Sequence, residues 1–366
     1  MGSLIEESDD GLHANGFIPS NTAGKVITCR AAVAWGPKEP IVIEEVLVDP
    51  PQKMEVRIKV VFTSICHTDL SGWMGENETQ RVFPRILGHD AAGIVESVGE
   101  GVQDIIPGDQ VVPIFNGECG NCSNCKSNKT NLCNKFRVDP FKSVMVSDGK
   151  TRFSTRDGKP IYHFLNTSTF TEYTVLDSAC VVKMTPNSPL KKMSLLSCGL
   201  STGVELHGTL QTCSRVRPRQ YSEILEMTGG GVDYSFECAG NMEVLREAFL
   251  CTHDGWGLTV ILGTHPSPRM LPFHPMELFN GRRLVGCVFG DFKGKTQLPD
   301  FADKCIHGGL NLDGFITHEL PFSEINEGFQ LLIDGKSFKM SLASLMWAET
   351  IQLLSLPCIS LGKCTV

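Results

Sequence analysis

The sequence predicts an α/β chain in two parts, a β-rich first part and a second part built on a parallel sheet. Three observations predict this. Val56, Ile58, Val60 and Phe62 alternate with Arg57 and Lys59, the period of a half-buried strand. From Tyr221 onward, helical and strand patterns alternate, the order that builds a parallel sheet. Leu258-Thr259-Val260-Ile261-Leu262 is a largely apolar run, as strands covered on both faces show.

In order along the chain, residues 1–24 are polar and rich in Gly, Asn and Ser, which predicts a flexible tail. The alternating strand at Val56 follows. Ile94-Val95 and Val111-Val112 lie in further short strands, punctuated by Gly99, Gly101, Pro107 and Gly108. Ile224, Leu225 and Met227 predict a short helix that breaks at Gly229-Gly230-Gly231, and Val232–Cys238 predicts a strand. Asn241 caps a helix carrying Met242, Leu245, Ala248 and Phe249. Ile325, Phe329 and Leu332 mark a last helix beginning near Ser323.

The chain has 366 residues, 41% hydrophobic and 20% charged, with a net charge of −8. This composition suits a water-soluble globular chain and offers no electrostatic footprint for nucleic acid or an anionic membrane. The N-terminus has no basic start followed by an apolar run, and the apolar stretch Ile351–Leu361 is shorter than the roughly 20 residues of a spanning helix. A cytoplasmic location is expected. Fifteen cysteines, an odd number, point to metal rather than disulfides.

Cys119, Cys122, Cys125 and Cys133 form a C-x2-C-x2-C-x7-C cluster separated mostly by Gly, Asn, Ser, Lys and Thr. Such a loop has little apolar surface to bury. Four thiolates around one Zn²⁺ would order it, with a binding free energy on the order of 10 kcal/mol. Closed coordination leaves no open position, so this zinc would be structural. Two disulfides, or a DNA-binding zinc ribbon, are the competing readings. The first needs a secretory context and the second a basic helix, and neither is present.

Cys66 ends the alternating strand, Gly88-His89-Asp90-Ala91-Ala92-Gly93 opens another, and Cys198-Gly199-Leu200-Ser201-Thr202-Gly203 lies at the seam between the two parts. Each alone is bland, since a lone Cys is usually a small buried hydrophobe. Together with the four-cysteine cluster, in this order, they resemble the zinc-dependent medium-chain alcohol dehydrogenase family, in its plant-type branch. The resemblance runs from about Lys25 to Val204 and resumes from about Ser222 to Lys339, where Gly231-Val232-Asp233-Tyr234-Ser235-Phe236-Glu237 and Thr317-His318-Glu319-Leu320-Pro321-Phe322 are similar to family segments.

The resemblance implies a GroES-like β-rich catalytic domain over residues 25–200, completed by 289–340, and a Rossmann-type cofactor domain over 201–288. It implies that Cys66, His89 and Cys198 hold a catalytic zinc with an open fourth position, so that two Zn²⁺ are expected per chain. A zinc held in this way polarises a carbonyl and acidifies an alcohol. By the same resemblance Thr68 accepts the alcohol's proton, Asp69 orients His89 and His67 lies near the cofactor pyrophosphate. Thr202, Gly263, Phe289, Gly290 and Lys339 correspond to positions near the nicotinamide or pyrophosphate of NAD. A small alcohol or aldehyde is the expected substrate, and a homodimer would form through the sheet edge at Arg282–Phe289. Two positions depart from the family pattern: Asp90 stands where Glu is usual, and Ser71 where a proton-relaying His is common.

A larger departure lies in the cofactor domain. The dinucleotide fingerprint requires a strand, a G-x-G-x-x-G turn and an acidic residue about 20 positions later. After Gly203 the sequence runs Val204-Glu205-Leu206-His207-Gly208 through Arg219-Gln220 and directly into the helix at Tyr221. The strand, the glycine-rich turn and the paired acid are all missing, which predicts a truncated parallel sheet and weak or absent NAD affinity. Residues 341–366 resemble nothing in the family and read as an atypical tail. The gap and the tail together suggest a skipped exon or an altered transcript end. Two further functional readings therefore stand beside an active dehydrogenase: a catalytically impaired zinc-binding splice-type variant, and a zinc-stabilised interaction protein.

Overall fold

The computed structural model describes residues 22–77, 81–207, 221–265, 269–308, 310, 312–337 and 340–343. Its β-rich body is formed by β1 (Ile27–Ala34), β2 (Val42–Val48), β3 (Glu55–Ile65), β4 (Arg85–Ile86), β5 (Asp90–Val98), β6 (Gln110–Pro113), β7 (Phe153–Ser154), β8 (Pro160–Ile161), β9 (Tyr173–Asp177) and β10 (Val181–Lys183). The second part carries β11 (Tyr234–Glu237), β12 (Leu258–Ile261) and β13 (Arg283–Gly286). The chain then returns to the first body with β14 (His318–Pro321) and β15 (Met340–Ala343). The helices are α1 (His67–Met74), α2 (Ser123–Lys126), α3 (Leu190–Met193), α4 (Gly199–His207), α5 (Tyr221–Thr228), α6 (Met242–Leu250), α7 (Pro275–Phe279), α8 (Gly294–Ile306) and α9 (Ile325–Ile333).

The first body holds two sheets, one ordered β4-β1-β2-β7-β8 and one ordered β10-β6-β5-β3-β15-β14, with β9 also paired to β3. Strand β3 organises the second. One of its edges takes β5; the other takes β9 along Glu55–Lys59 and β15 along Phe62–Ile65. Because β3 is covered along both edges and both faces, the expectation of a half-buried strand is corrected. Val56, Arg57 and Ile58 are all buried. Arg57 sits inside because its Nε donates to Glu96 Oε2 at 2.6 Å and its terminal nitrogens donate to the carbonyls of Thr22 and Lys25. A paired and fully hydrogen-bonded charge can be buried; removing one partner of such a pair typically costs about 3–5 kcal/mol.

A second correction concerns the end of the chain. Ser341 and Leu342, expected in the atypical tail, are buried in β15, between β3 and β14. Residues 344–366 lie outside the described residues, as do residues 1–21.

The second part is a parallel sheet of order β11-β12-β13. Helix α6 packs on it through Leu245 and Phe249, and its N-cap Asn241 accepts from the N–H groups of Glu243 and Val244. The turn at Gly229-Gly230-Gly231 has φ of 67°, 133° and 130°, a conformation that side chains resist, so glycine is needed there. Among the described residues, β11 has no strand on its outer edge.

Candidate metal and active site

The pairing of β3 with β5 brings two of the expected ligands together. Ser64 stands opposite Asp90, so Cys66, just past the end of β3, meets His89, just before β5. Asp69, in the first turn of α1, joins them. Its Oδ2 accepts from the backbone N–H of Cys66 at 2.9 Å, and its Oδ1 accepts from Gly88 N at 3.0 Å and from His89 Nδ1 at 2.9 Å. The third ligand arrives from a single 3-10 turn. Ser197 Oγ accepts from Ala91 N at 3.1 Å and donates to Ala91 O at 3.0 Å, fixing Cys198 against the start of β5. The ligand atoms of Cys66, His89 and Cys198 then lie within 4.8 Å of one another.

The donor set fits zinc. A carboxylate can only accept, so Nδ1 of His89 donates to Asp69, and Nε2 is the atom a cation would take in place of a second proton. That Nε2 is buried and has no hydrogen-bond partner. Burial opposes charge on this ring, but Asp69, Asp90 and Cys66 together hold its pKa well above the ordinary histidine value. A cation between the thiols would satisfy the same negative surroundings. Asp90 Oδ1 lies 3.9 Å from Nε2.

The second cluster lies in the loop around α2. Cys119 and Cys125 sulfurs are 3.9 Å apart, as are those of Cys122 and Cys133, and all four lie within 4.8 Å. Tetrahedral Zn–S bonds of about 2.3 Å place sulfurs at about this spacing. Backbone N–H groups of Cys125 and Asn134 point at Cys122 Sγ and lower its pKa to about 6. Burial pushes Cys125 up to about 12. Lys135 and Phe136 donate similarly to Cys133. None of the described cysteines is in a disulfide.

Residues 52–186 match the alcohol dehydrogenase GroES-like domain family and residues 211–305 the zinc-binding dehydrogenase family. An alcohol dehydrogenase-like protein of Arabidopsis thaliana is 56% identical over 87% of this chain and 97% of its own length. This chain belongs to the zinc-dependent medium-chain alcohol dehydrogenase family. Alcohol dehydrogenase 1 of Petunia hybrida is 45% identical over 87% of this chain and 98% of its own. Among solved structures, an alcohol dehydrogenase zinc-binding domain protein from Burkholderia ambifaria superposes with a TM-score of 0.76 at 25% identity, over 87% of this chain and 99% of that one.

Membership gives the family's zinc and nicotinamide dinucleotide chemistry. The Arabidopsis alignment runs over 382 positions, of which this chain supplies 87% of its 366 residues. On the order of sixty positions of that alignment therefore face no residue of this chain.

The remaining expected residues are spread along the seam. Thr68 is half-buried and His67 exposed at the start of α1. Thr202 donates its hydroxyl to Cys198 O at 2.9 Å. Gly290 packs so closely that a Cβ would come within 2.9 Å of Thr202 O. Phe289 is buried and its ring lies 5.3 Å from Phe115, which meets His89 edge-on at 5.7 Å. Gly263 lies apart from these, against Gly240 and Glu237 beyond the ends of β11 and β12, where a Cβ would strike Gly240 N. Lys339 lies outside the described residues. Sequence reasoning missed Phe115 and Ser197. Neither belongs to a spaced motif; only the fold brings them to the ligands.

Proposed function

We propose that this chain is a zinc-dependent dehydrogenase interconverting a small alcohol and its aldehyde or ketone by hydride exchange with NAD. We assign it two zinc ions, a catalytic one at Cys66, His89 and Cys198 and a structural one at Cys119, Cys122, Cys125 and Cys133. The observation that carries the reading is the buried Nε2 of His89, without a hydrogen-bond partner, beside two cysteines.

A zinc in a three-ligand site supplies Lewis acidity at its open position. The chain's own groups do the rest. Asp69 holds His89 in the tautomer that frees Nε2. Thr68 would accept a hydrogen bond from the alcohol's hydroxyl and relay the proton toward solvent by giving up its own. Phe115 and Phe289 wall the centre with apolar surface and keep water from it. Thr202, Phe289, Gly290, Gly263, His67 and, outside the described residues, Lys339 are the residues we assign to the cofactor. We place the β-rich catalytic domain at 25–200 with 289–340 and the truncated cofactor domain at 201–288. We propose a cytoplasmic location; no described helix is long and apolar enough to cross a membrane. A homodimer would form along β13, which among the described residues pairs only with β12 and exposes Val285.

The sheet supports a second reading. Among the described residues its strands are β11, β12 and β13, with no described strand or glycine-rich turn between Cys198 and Tyr221. A chain that keeps both metals and has lost turnover fits that observation. Metal analysis with an assay of alcohol-dependent NADH formation separates the two. Two zincs with NADH formation support the dehydrogenase; two zincs without it support the impaired variant. Folded protein without zinc would refute both.

A further inference from the structure

The four-cysteine lobe is tied to the seam by polar side chains. Asn131, between Cys125 and Cys133, is buried, and its Nδ2 donates to Val288 O at 2.7 Å and to Phe292 O at 3.1 Å. Lys293 Nζ donates to Cys125 O and Ser127 O, each at 2.7 Å. Thr296 donates its hydroxyl to Glu118 Oε1 at 2.7 Å and its N–H to Oε2 at 3.1 Å.

The two carbonyls that Asn131 holds bracket an unusual turn. Phe289, Gly290 and Asp291 have φ of 56°, 64° and 60°, three consecutive left-handed residues of which two carry side chains. Side chains resist this region, and such a turn persists only where its surroundings over-determine it. The turn touches both arms of the candidate metal site. The Phe289 ring reaches His89 through Phe115. Gly290 sits against the Thr202 backbone, and Thr202 holds the Cys198 carbonyl.

We propose that Asn131 is a positioning residue: it holds the Phe289–Gly290–Asp291 turn in its left-handed form and so transmits the order of the four-cysteine lobe to His89 and Cys198. The lobe is then a clamp on the reaction centre as well as a stabilising element. This rests on the reading of Cys66, His89 and Cys198 as a metal site. The mechanism is geometric. Without the amide, Val288 O and Phe292 O lose a shared donor, the turn is free to leave the left-handed region, and Phe289 and Gly290 withdraw from Phe115 and Thr202.

The test uses the full chain with zinc in the four-cysteine lobe and Co²⁺ exchanged into the three-ligand site. The visible absorption of cobalt reports the geometry of that site without any need for turnover. Asn131→Ala is expected to shift the cobalt bands and to speed cobalt loss to a chelator on the order of tenfold, the low end of the effect of groups that orient metal ligands. Asn131→Gln, which keeps the carboxamide donor, is expected to recover part of both. Lys293→Met loosens the same junction from its other side and should shift the bands in the same direction; it decides the question if Asn131→Ala does not fold. A lowered melting temperature with unchanged bands and release rate would make Asn131 merely structural and overturn the proposal. If the unaltered chain gives no cobalt–thiolate band at this site, the reading of the site fails first and the proposal with it.

Discussion

Asp69 Oδ1 and His89 Nδ1 lie 2.9 Å apart with both side chains buried, and the same carboxylate accepts from the backbone of Cys66. One acidic group therefore sets the tautomer of one expected ligand and the backbone position of another. Asp69→Asn keeps the size but can present an N–H to the ring or to a backbone donor. We expect the zinc at Cys66, His89 and Cys198 to be held 10–100-fold more weakly, the range for groups that orient metal ligands. Chelator competition on the purified variant measures this. Unchanged affinity would show that backbone pairing alone fixes the ring.

Removal of one lobe ligand should be separable from the other site. Cys133 is fully buried within a small cluster with Phe136, Ala179 and Cys180. Cys133→Ser is expected to lower the zinc content from two to one per chain and to reduce the thermal midpoint sharply, because the loop has little else to order it. Two zincs in the purified variant would show that the four-cysteine loop is not a metal site.

A pH dependence follows from His163. Burial, reinforced by the positive charge of Arg152, lowers its pKa from 6.5 to about 3, with Asp148 opposing weakly. The unfolded chain takes up a proton below about pH 6.5 and the folded chain does not until about pH 3. The stabilisation is thus complete above 6.5 and is lost as pH falls toward 3, by at most about 1.4 kcal/mol per pH unit. His163 Nε2 accepts from Arg152 N. His163→Gln keeps an acceptor and does not titrate, so its stability, by urea unfolding at pH 7 and pH 5, should fall less on acidification. Equal losses in the two proteins would remove His163 from the acid response.

The sequence made the four-cysteine lobe legible because its donors are close in the chain and the residues between them can bury nothing. The three-ligand site was legible only through resemblance. Its assembly depends on the pairing of Ser64 with Asp90 and on the Ser197–Ala91 bonds, which no spacing rule contains. Arg57 misled the strand reading, because alternation marks a solvent face only when the charge lacks an interior partner, and Glu96 supplies one. The tail boundary failed at Ser341 for a related reason: a short strand without an apolar run of its own is stabilised by β3 and β14 on either side. The absence of a G-x-G-x-x-G turn after Gly203 is a property of the sequence itself, because that turn is defined by its glycines.

The lack of that turn in the sequence predicts a binding defect. Dinucleotide affinity rests largely on backbone N–H groups that meet the pyrophosphate at a helix N-terminus. No described segment of this chain opens a helix after a strand in that way between Cys198 and Tyr221. Titration with NADH, followed by nicotinamide fluorescence, is expected to show no saturation in the micromolar range. Micromolar binding would mean that Thr202, Phe289 and Gly290 suffice for the cofactor.

The open side of β11 should be visible in amide exchange. Leu258 N bonds to Asp233 O and Leu262 N to Glu237 O, so the backbone groups of Asp233, Ser235 and Glu237 face β12. Neighbouring residues in a strand point to opposite sides, which turns the N–H groups of Tyr234 and Phe236 toward the edge where no described strand lies. Strand β12, by contrast, is paired on both sides. Hydrogen exchange under native conditions is expected to be at least about tenfold faster at Tyr234 and Phe236 than at Thr259 and Val260, since edge groups exchange by small local openings and central ones do not. Equal protection at the four amides would show that another segment covers β11 in solution.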